Sequence, residues 1–183
     1  MRKVIASFFI SADGVVDAPQ DWHFPYFDDD MGAVVGGTLA QAGALLLGRK
    51  TYEEWAGYWP AQSSADNPMA AAINGLPKYV VSDTLTGADW QNSTIVNGAA
   101  LRSEVERLKA EDGGDINVSG SGTLVRSLIA EGLVDELNLL VHPIVVGKGS
   151  HLFEGGPAPA ALELVQSRTF GSGVLHLVYK PVA

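Results

Sequence analysis

The chain has 183 residues, of which 46% are hydrophobic and 18% are charged, and it contains no cysteine. This composition is typical of a folded globular protein and excludes disordered chains, disulfide scaffolds, thiol nucleophiles, iron–sulfur clusters and cysteine zinc sites. The net charge of −9 repels phosphate backbones and anionic lipids, so we expect neither a nucleic-acid nor a membrane partner. The length predicts a single domain over residues 1–183.

The first predicted element is an apolar run at 4–10, which follows Arg2 and Lys3. A basic start before an apolar run is also typical of a secretory signal, but Asp13 follows closely and no small-residue cleavage site stands nearby. We therefore interpret the run as a strand. This run and the one at 42–47 are shorter than the roughly 18 residues of a membrane span. With no targeting segment and no cysteine, the sequence predicts a cytoplasmic protein.

Further along the chain, short apolar runs alternate with segments of helical spacing. Strands are predicted at 44–47, 79–81, 116–118 and 137–146. Helices are predicted through Leu101, Val105 and Leu108 and over 123–131, the second ending at Gly132. Apolar strands joined by helices predict a mainly parallel sheet covered on both faces.

The end of the chain has a different pattern from the rest. Two strand-like segments, 162–170 and 174–179, flank Gly171-Ser172-Gly173 and predict a hairpin. We therefore expect an α/β fold with a mixed, mainly parallel central sheet, flanked by helices and completed by a C-terminal antiparallel hairpin. Ligands of such sheets bind at the carboxyl ends of the strands.

The end of the strand at 44–47 carries groups that bind phosphate. Gly48 is followed there by Arg49, Lys50 and Thr51. Glycine lets a ligand approach the backbone, helix N–H groups favour an anion, and arginine binds phosphate through two hydrogen bonds. Thr51 is a candidate cap for the next helix. The alternative interpretation is a capped helix with solvated cations.

A second strand end, after 116–118, is rich in glycine and hydroxyl groups. Its residues are Gly120, Ser121, Gly122 and Thr123. Small residues at a helix start supply N–H and O–H donors that suit a pyrophosphate. The Rossmann fingerprint is not matched, because Val125 occupies the third glycine position and no acidic residue follows about 20 positions later. A helix entry without a ligand is the alternative.

A third strand end, Ser82-Asp83 after 79–81, would by itself indicate a turn. Three such ends in one sheet predict a dinucleotide site.

Several segments follow one another in a characteristic order. They are Ser11-x-Asp13-Gly14, Leu47-Gly48-Arg49-Lys50-Thr51-Tyr52-Glu53-x-Trp55, Val81-Ser82, Gly120-Ser121-Gly122-Thr123-Leu124, Val134-Asp135-Glu136-Leu137 and Pro143-x-x-x-Gly147-x-Gly149. This order, over residues 3 to 180, resembles the dihydrofolate reductase-like superfamily. It is most similar to the reductase domain of bifunctional riboflavin-biosynthesis deaminase–reductases and its stand-alone relatives.

The resemblance implies a mixed sheet with NADPH lying across the carboxyl ends of the strands. It places Gly48, Arg49, Lys50 and Thr51 at the adenosine 2′-phosphate and pyrophosphate, Ser82 beside the ribose, and residues 120–123 around the pyrophosphate. The Arg49–Lys50 pair favours NADP over NAD on charge grounds. The carboxylate of Asp83 would repel the 2′-phosphate, which leaves the preference between NADP and NAD open.

The segment 21–30 combines four aromatic residues, a histidine and a run of carboxylates. Trp22 is the candidate for stacking on a flat substrate, and Asp28 the candidate for binding a ring N–H or relaying a proton. The segment resembles the Trp-x-x-Pro-x-Asp of dihydrofolate reductases, except that Asp28 follows Pro25 by three positions. Alternatively, the three acids only complement the positive end of a helix.

Asp13 lies where the mobile substrate loop of the superfamily begins, and it is the second candidate catalytic residue. With Gly14 it is also a turn signal. The four histidines are scattered, without an HExxH motif or a close pair, so the sequence predicts no metal site and mostly surface or strand histidines.

The resemblance implies an NADPH-dependent reductase that passes a hydride to a C=N or C=O carbon of a small heterocyclic or sugar-linked substrate. The implied activity resembles that of the 5-amino-6-(5-phosphoribosylamino)uracil reductase of riboflavin synthesis. A folate reductase is one alternative, but Leu76-Pro77 is followed by Lys78 rather than the arginine such enzymes carry nearby. A non-catalytic dinucleotide-binding protein is another alternative. The relatives also imply a homodimer.

Overall fold

A computed structural model of the protein describes residues 1–63, 65, 67–155 and 159–182. In these residues the strands are β1 (Val4–Ser11), β2 (Ala42–Gly48), β3 (Lys78–Val81), β4 (Ser93–Val96), β5 (Asp115–Val118), β6 (Glu136–His142), β7 (Leu162–Thr169) and β8 (Leu175–Pro181). The α-helices are α1 (Asp29–Gln41), α2 (Arg49–Ala56), α3 (Ala70–Gly75), α4 (Leu101–Ala110) and α5 (Gly122–Ala130).

All eight of these strands form one sheet in the order β4-β3-β2-β5-β1-β6-β8-β7. The six strands from β4 to β6 are parallel, so their carboxyl ends lie at one edge, which we call the carboxyl edge. β8 is antiparallel to β6 and β7 to β8, so the turn between β7 and β8 returns to the carboxyl edge. The predicted α/β fold with a C-terminal hairpin is confirmed.

Inner strands such as β2 are apolar because helices cover both faces of the sheet. On β2, Leu46 packs into the cluster formed with α4 and α5, whereas Leu45 and Leu47 pack on the opposite face with Tyr52 of α2 and Trp90. All three leucines are buried. The continuous apolar run therefore reflects a sheet buried on both sides, as expected for parallel strands.

Two details of the sheet differ from the sequence prediction. β4 was not predicted, because it is a four-residue edge strand that begins with Ser93 and Thr94 and has no long apolar run. The strand predicted at 137–146 ends at His142, because Pro143 has no N–H to continue the ladder and Ile144 N–H turns back to the carbonyl of His142 at 2.8 Å.

The predicted helix ends are largely confirmed. α5 ends at Ala130, and Gly132 has a φ of +67°, a left-handed conformation that glycine adopts without steric cost. Among the described residues, no helix has the length and apolar character needed to cross a membrane.

Candidate functional site

The turns that follow β2 and β5 pack directly against each other at the carboxyl edge. Gly48 N–H donates to the carbonyl of Gly120 at 2.9 Å. A Cβ atom at Gly48 would lie 2.6 Å from Ser121 Oγ, and one at Gly120 would lie 2.5 Å from Thr51 Oγ1. Both glycines are therefore required by the close approach of the two turns, which places the Ser121 hydroxyl against Gly48 and the Thr51 hydroxyl against Gly120.

Two helices begin at this junction with N–H donors facing the edge. α2 begins at Arg49 with Gly48 as its N-cap, and no described side chain caps it. The prediction that Thr51 caps this helix is wrong, because the helix starts two residues earlier. α5 begins at Gly122, and its N-cap Ser121 accepts only a long hydrogen bond, 3.4 Å, from Leu124 N–H. The junction therefore presents the positive ends of two helices.

Carboxylates accompany the two cations of α2. Arg49 Nη1 lies 2.8 Å from a carboxylate oxygen of Glu53, and Lys50 Nζ lies 3.8 Å from Asp17 Oδ1. Both cationic side chains are about half exposed or more, at 49% and 62%. Such exposed pairs are weak, so an anionic ligand can take the place of either carboxylate, Glu53 or Asp17.

Ser82 and Asp83, at the end of β3, are used in local turns. Ser82 Oγ accepts hydrogen bonds from the N–H groups of Thr84 and Leu85, at 3.2 and 3.0 Å. Asp83 Oδ1 accepts from Gly98 N–H at 2.7 Å. Because Val81 of β3 pairs with Gly48 of β2, Ser82 lies next to the α2 junction.

Asp13 connects two loops of the carboxyl edge. Its carboxylate accepts hydrogen bonds from the Ser11 hydroxyl at 2.6 Å and from the N–H groups of Val146 and Gly147 at 3.1 and 2.8 Å. The Ser11 hydroxyl, followed by these two backbone groups, lowers the pKa of Asp13 to about 2. Asp13 is thus a carboxylate held in a turn, and its catalytic role stays a prediction.

Asp28 is the N-cap of α1 and also contacts the β7–β8 turn. Its Oδ1 accepts from Met31 N–H at 2.9 Å and its Oδ2 from Ser172 N–H at 3.0 Å. The hydrogen bond from Met31 is the largest cause that lowers the pKa of Asp28. At neutral pH this group is a carboxylate that accepts hydrogen bonds, which suits binding of a ring N–H better than donation of a proton. Its catalytic role also stays a prediction.

Trp22 is buried, which leaves little of its ring free to stack on a substrate. Its side chain is 7% exposed, its indole N–H donates to the carbonyl of Asp17 at 3.1 Å, and its ring meets His142 edge-on at 5.1 Å. The rings that face solvent in this segment are Phe24 and Phe27, 64% and 44% exposed. Substrate binding by Trp22 stays a prediction, and Phe24 and Phe27 join it as candidates.

The histidines lie mostly in strands or at the surface, as the sequence predicted, because His142 is in β6, His176 is in β8 and the side chain of His151 is 45% exposed. His23, His142 and His176 are all buried, and the rings of His23 and His142 lie 6.2 Å apart although 118 residues separate them in the chain. His23 stacks on Phe9 at 4.5 Å. In the described part of the chain, no group of three or more histidine or acidic side chains is placed to hold a metal ion.

Burial makes the stability of the protein sensitive to acid. Desolvation, followed by the charge of His142, lowers the pKa of His23 from 6.5 to about 4, and burial also lowers the pKa of His142 and His176. The unfolded chain therefore binds more protons than the folded chain between pH 6.5 and 4, and stability is lost as the pH falls through this window. We expect His23 to account for about 3 kcal/mol by pH 4.

Urea denaturation at pH 7, 5 and 4 measures this loss. His23→Phe keeps a ring against Phe9 and is expected to flatten the pH dependence. His151→Gln, at an exposed side chain, is the control and should leave it unchanged. If the free energy of unfolding falls equally with pH in the parent and in His23→Phe, His23 is not the source of the acid sensitivity.

A separate cleft of about 700 Å³ lies between α2 and the segment that leads to β4. Its lining residues are Tyr52, Glu53, Ala56, Pro60, Asn74, Gly87, Asp89, Trp90 and Gln91. None of the predicted site residues lines this cleft. The carboxyl edge therefore remains the candidate site, because the chemically informative groups converge there and not in the cleft.

Two features of the edge could not be predicted from the sequence. Asp17 accepts hydrogen bonds from both the N–H and the hydroxyl of Ser150 at 2.9 Å, across 133 residues. The exposed rings of Phe24 and Phe27 were visible as part of an aromatic segment, but their exposure was not predictable from it.

Comparisons with known proteins agree with the fold. Residues 2–176 match the model of the RibD C-terminal domain. The uncharacterized protein YyaP of Bacillus subtilis (strain 168) is 33% identical over 97% of this chain and 94% of its own. A crystal structure from Shewanella sp. PV-4 has a TM-score of 0.78 at 18% identity, covering 99% of both chains.

Two further structures have the same fold. The diaminohydroxyphosphoribosylaminopyrimidine deaminase/5-amino-6-(5-phosphoribosylamino)uracil reductase of Thermotoga maritima has a TM-score of 0.71 at 13% identity, over 99% of this chain and 57% of that one. Dihydrofolate reductase from Enterococcus faecalis, in complex with NADP(H), has a TM-score of 0.66 at 15% identity, over 99% and 97% of the two chains.

Proposed function

This chain belongs to the RibD C-terminal domain family, and on that premise we propose that it is an NADPH-dependent reductase. Its substrate is a small heterocyclic or sugar-linked compound that accepts a hydride at a C=N or C=O carbon. The observation that carries the proposal is the junction of the β2 and β5 turns. There, two tightly packed glycines, two hydroxyls and two helix N-termini lie at the carboxyl edge.

The residues of this junction fit a dinucleotide. The α2 N-terminus with Gly48, Arg49, Lys50 and Thr51 would hold the 2′-phosphate and pyrophosphate side. Residues 120–123 would donate N–H and O–H groups to the pyrophosphate, and Ser82 would lie beside the ribose. When bound, the dihydronicotinamide supplies the hydride.

On the substrate side, the chain's own groups bind and position the substrate. Asp28 is a carboxylate with its two oxygens fixed by Met31 and Ser172, so it would accept a hydrogen bond from a substrate N–H. Asp13 would hold the loop that follows β1 against residues 146–147. Because low pKa values keep both groups ionised at neutral pH, the proton required by the reaction would come from another donor.

The first test of the proposal is the charge contact to the 2′-phosphate. Arg49→Ala is expected to weaken NADPH binding by about 1.5–3 kcal/mol and NADH binding much less, because only NADPH carries the extra phosphate. Calorimetric titration of both dinucleotides measures this difference. Arg102→Ala is a matched control, since Arg102 is also a half-exposed helical arginine paired with a glutamate four residues later. Equal losses for NADPH and NADH would contradict the assigned contact.

The two alternatives are separated by simple assays. A folate reductase would oxidise NADPH with dihydrofolate, but the ammonium of Lys78 is fully buried and bonded to backbone carbonyls, which leaves it unable to bind a folate carboxylate. A non-catalytic binding protein would bind NADPH but would not oxidise it, whichever substrate is added. The homodimer and the cytoplasmic location implied by the sequence stay predictions.

A further inference from the structure

The part of the carboxyl edge outside the dinucleotide junction is acidic. We define this substrate half as residues 12–30, 143–155 and 168–174. Its carboxylates are Asp13, Asp17, Asp21, Asp28, Asp29, Asp30 and Glu154. Its described cations are Lys148 and Arg168, and Arg168 donates to Asp30. Lys50 reaches this half from α2, where it is paired with Asp17.

The segments that carry Asp13, Asp17 and Asp28 are tied by hydrogen bonds to other loops of this edge. Asp13 and Asp17 bind the loop 146–150, and Asp28 binds the β7–β8 turn at Ser172. Hydrogen bonds from Met31 and Ser172 lower the pKa of Asp28, and those from Ser11, Val146 and Gly147 lower the pKa of Asp13. Asp13 and Asp28 therefore carry their negative charges at neutral pH, and these charges repel an anionic ligand.

A second, independent feature of the same half is its exposed rings. Phe24 and Phe27 are 64% and 44% exposed, and their ring centroids lie 4.2 and 6.0 Å from that of His23. Large apolar side chains that stay exposed beside a site favour a flat, weakly polar ligand.

We infer that the substrate of this protein is a flat compound without a phosphate group, either uncharged or cationic. The inference rests on the proposed function and narrows its substrate class. A sugar phosphate carries about two negative charges, whereas the described residues of the substrate half hold seven carboxylates and two cations, Lys148 and Arg168. The phosphorylated compound named for the Thermotoga maritima enzyme is therefore disfavoured here.

The test compares two pyrimidines that differ in one group. We expect 5-amino-6-ribosylaminouracil to bind at least about 10-fold more tightly than its 5′-phosphate, because several carboxylates repel the phosphate. Calorimetry is done on the protein alone and on the protein loaded with NADP⁺, at low and high salt. High salt should shrink the difference, since it screens exposed charges.

A charge variant adds a matched control. Asp21→Asn with Asp29→Asn removes two charges of the substrate half and is expected to reduce the ratio of the two dissociation constants about 3-fold or more. Asp112→Asn with Glu163→Gln changes the net charge by the same amount at exposed positions outside the substrate half, and should leave the ratio unchanged. Two binding isotherms per protein suffice for this comparison.

Three outcomes would overturn the inference: equal or tighter binding of the phosphorylated pyrimidine, the same change of ratio in both double variants, or binding of neither pyrimidine. Failure of the proposed function is a different result. In that case NADP⁺ does not bind, while the pyrimidine comparison on the protein alone still reports the charge preference.

Discussion

Gly120→Ala is expected to lower the free energy of unfolding by about 2–4 kcal/mol and to weaken NADPH binding at least 10-fold. Two costs add in this variant. The φ of Gly120 is +139°, where a side chain is strained, and the new Cβ would lie 2.5 Å from Thr51 Oγ1. Relief requires the β5 turn to move away from α2, which separates the two helix N-termini.

Two glycine controls separate these causes. Gly132→Ala also has a positive φ but has open space around its Cβ position, so it should lose about 1 kcal/mol and bind NADPH normally. Gly37→Ala lies in α1 with no neighbour within 4 Å and should be neutral or slightly stabilising. Urea denaturation and calorimetry measure both quantities. Unchanged NADPH affinity in a folded Gly120→Ala protein would show that the junction is not the dinucleotide site.

Lys78→Met is expected to cost about 3 kcal/mol or more of unfolding free energy. The ammonium is completely buried and donates to the carbonyls of Leu76, Asn74 and Gln91 at 2.8, 2.9 and 3.2 Å. It also lies 4.2 Å from the centroid of the Trp90 ring. Burial lowers the pKa of Lys78 to about 8, so the group is still mainly protonated at pH 7. Methionine fills the space but leaves the three carbonyls without this donor, and only the carbonyl of Asn74 keeps another described one, the side-chain amide of Gln91 at 3.0 Å.

Lys180→Met is the control for this loss, because Lys180 is an exposed lysine on β8 and its removal should change stability by less than about 0.5 kcal/mol. Thermal and urea denaturation of the two variants give the comparison. A Lys78→Met protein as stable as the parent would mean that the three carbonyls are satisfied in another way.

The parts of the fold that depend on local pattern were predictable. The leucines of β2 and the glycines at 48 and 120 indicated a buried parallel strand and two helix entries, and both glycines have a steric reason in the structure. The hairpin at the end of the chain was predictable because Gly171-Ser172-Gly173 interrupts two strand-like segments.

What could not be predicted depends on contacts between distant residues. Asp28 reaches Ser172 across 144 residues, and this contact helps to fix it as a carboxylate rather than a proton donor. The approach of His23 to His142 requires the loop after β1 to fold over the end of β6, for which a single sequence has no signal. The exposure of Phe24 is likewise a property of the packed loop and not of its composition.

The most direct test of the central claim is a crystal structure of the protein with NADP⁺. We predict that the pyrophosphate lies between the N-termini of α2 and α5, within hydrogen-bond distance of residues 120–123, with the 2′-phosphate beside Arg49. NADP⁺ bound instead in the cleft beside Trp90, or a carboxyl edge that stays empty at saturating NADP⁺, would contradict the account.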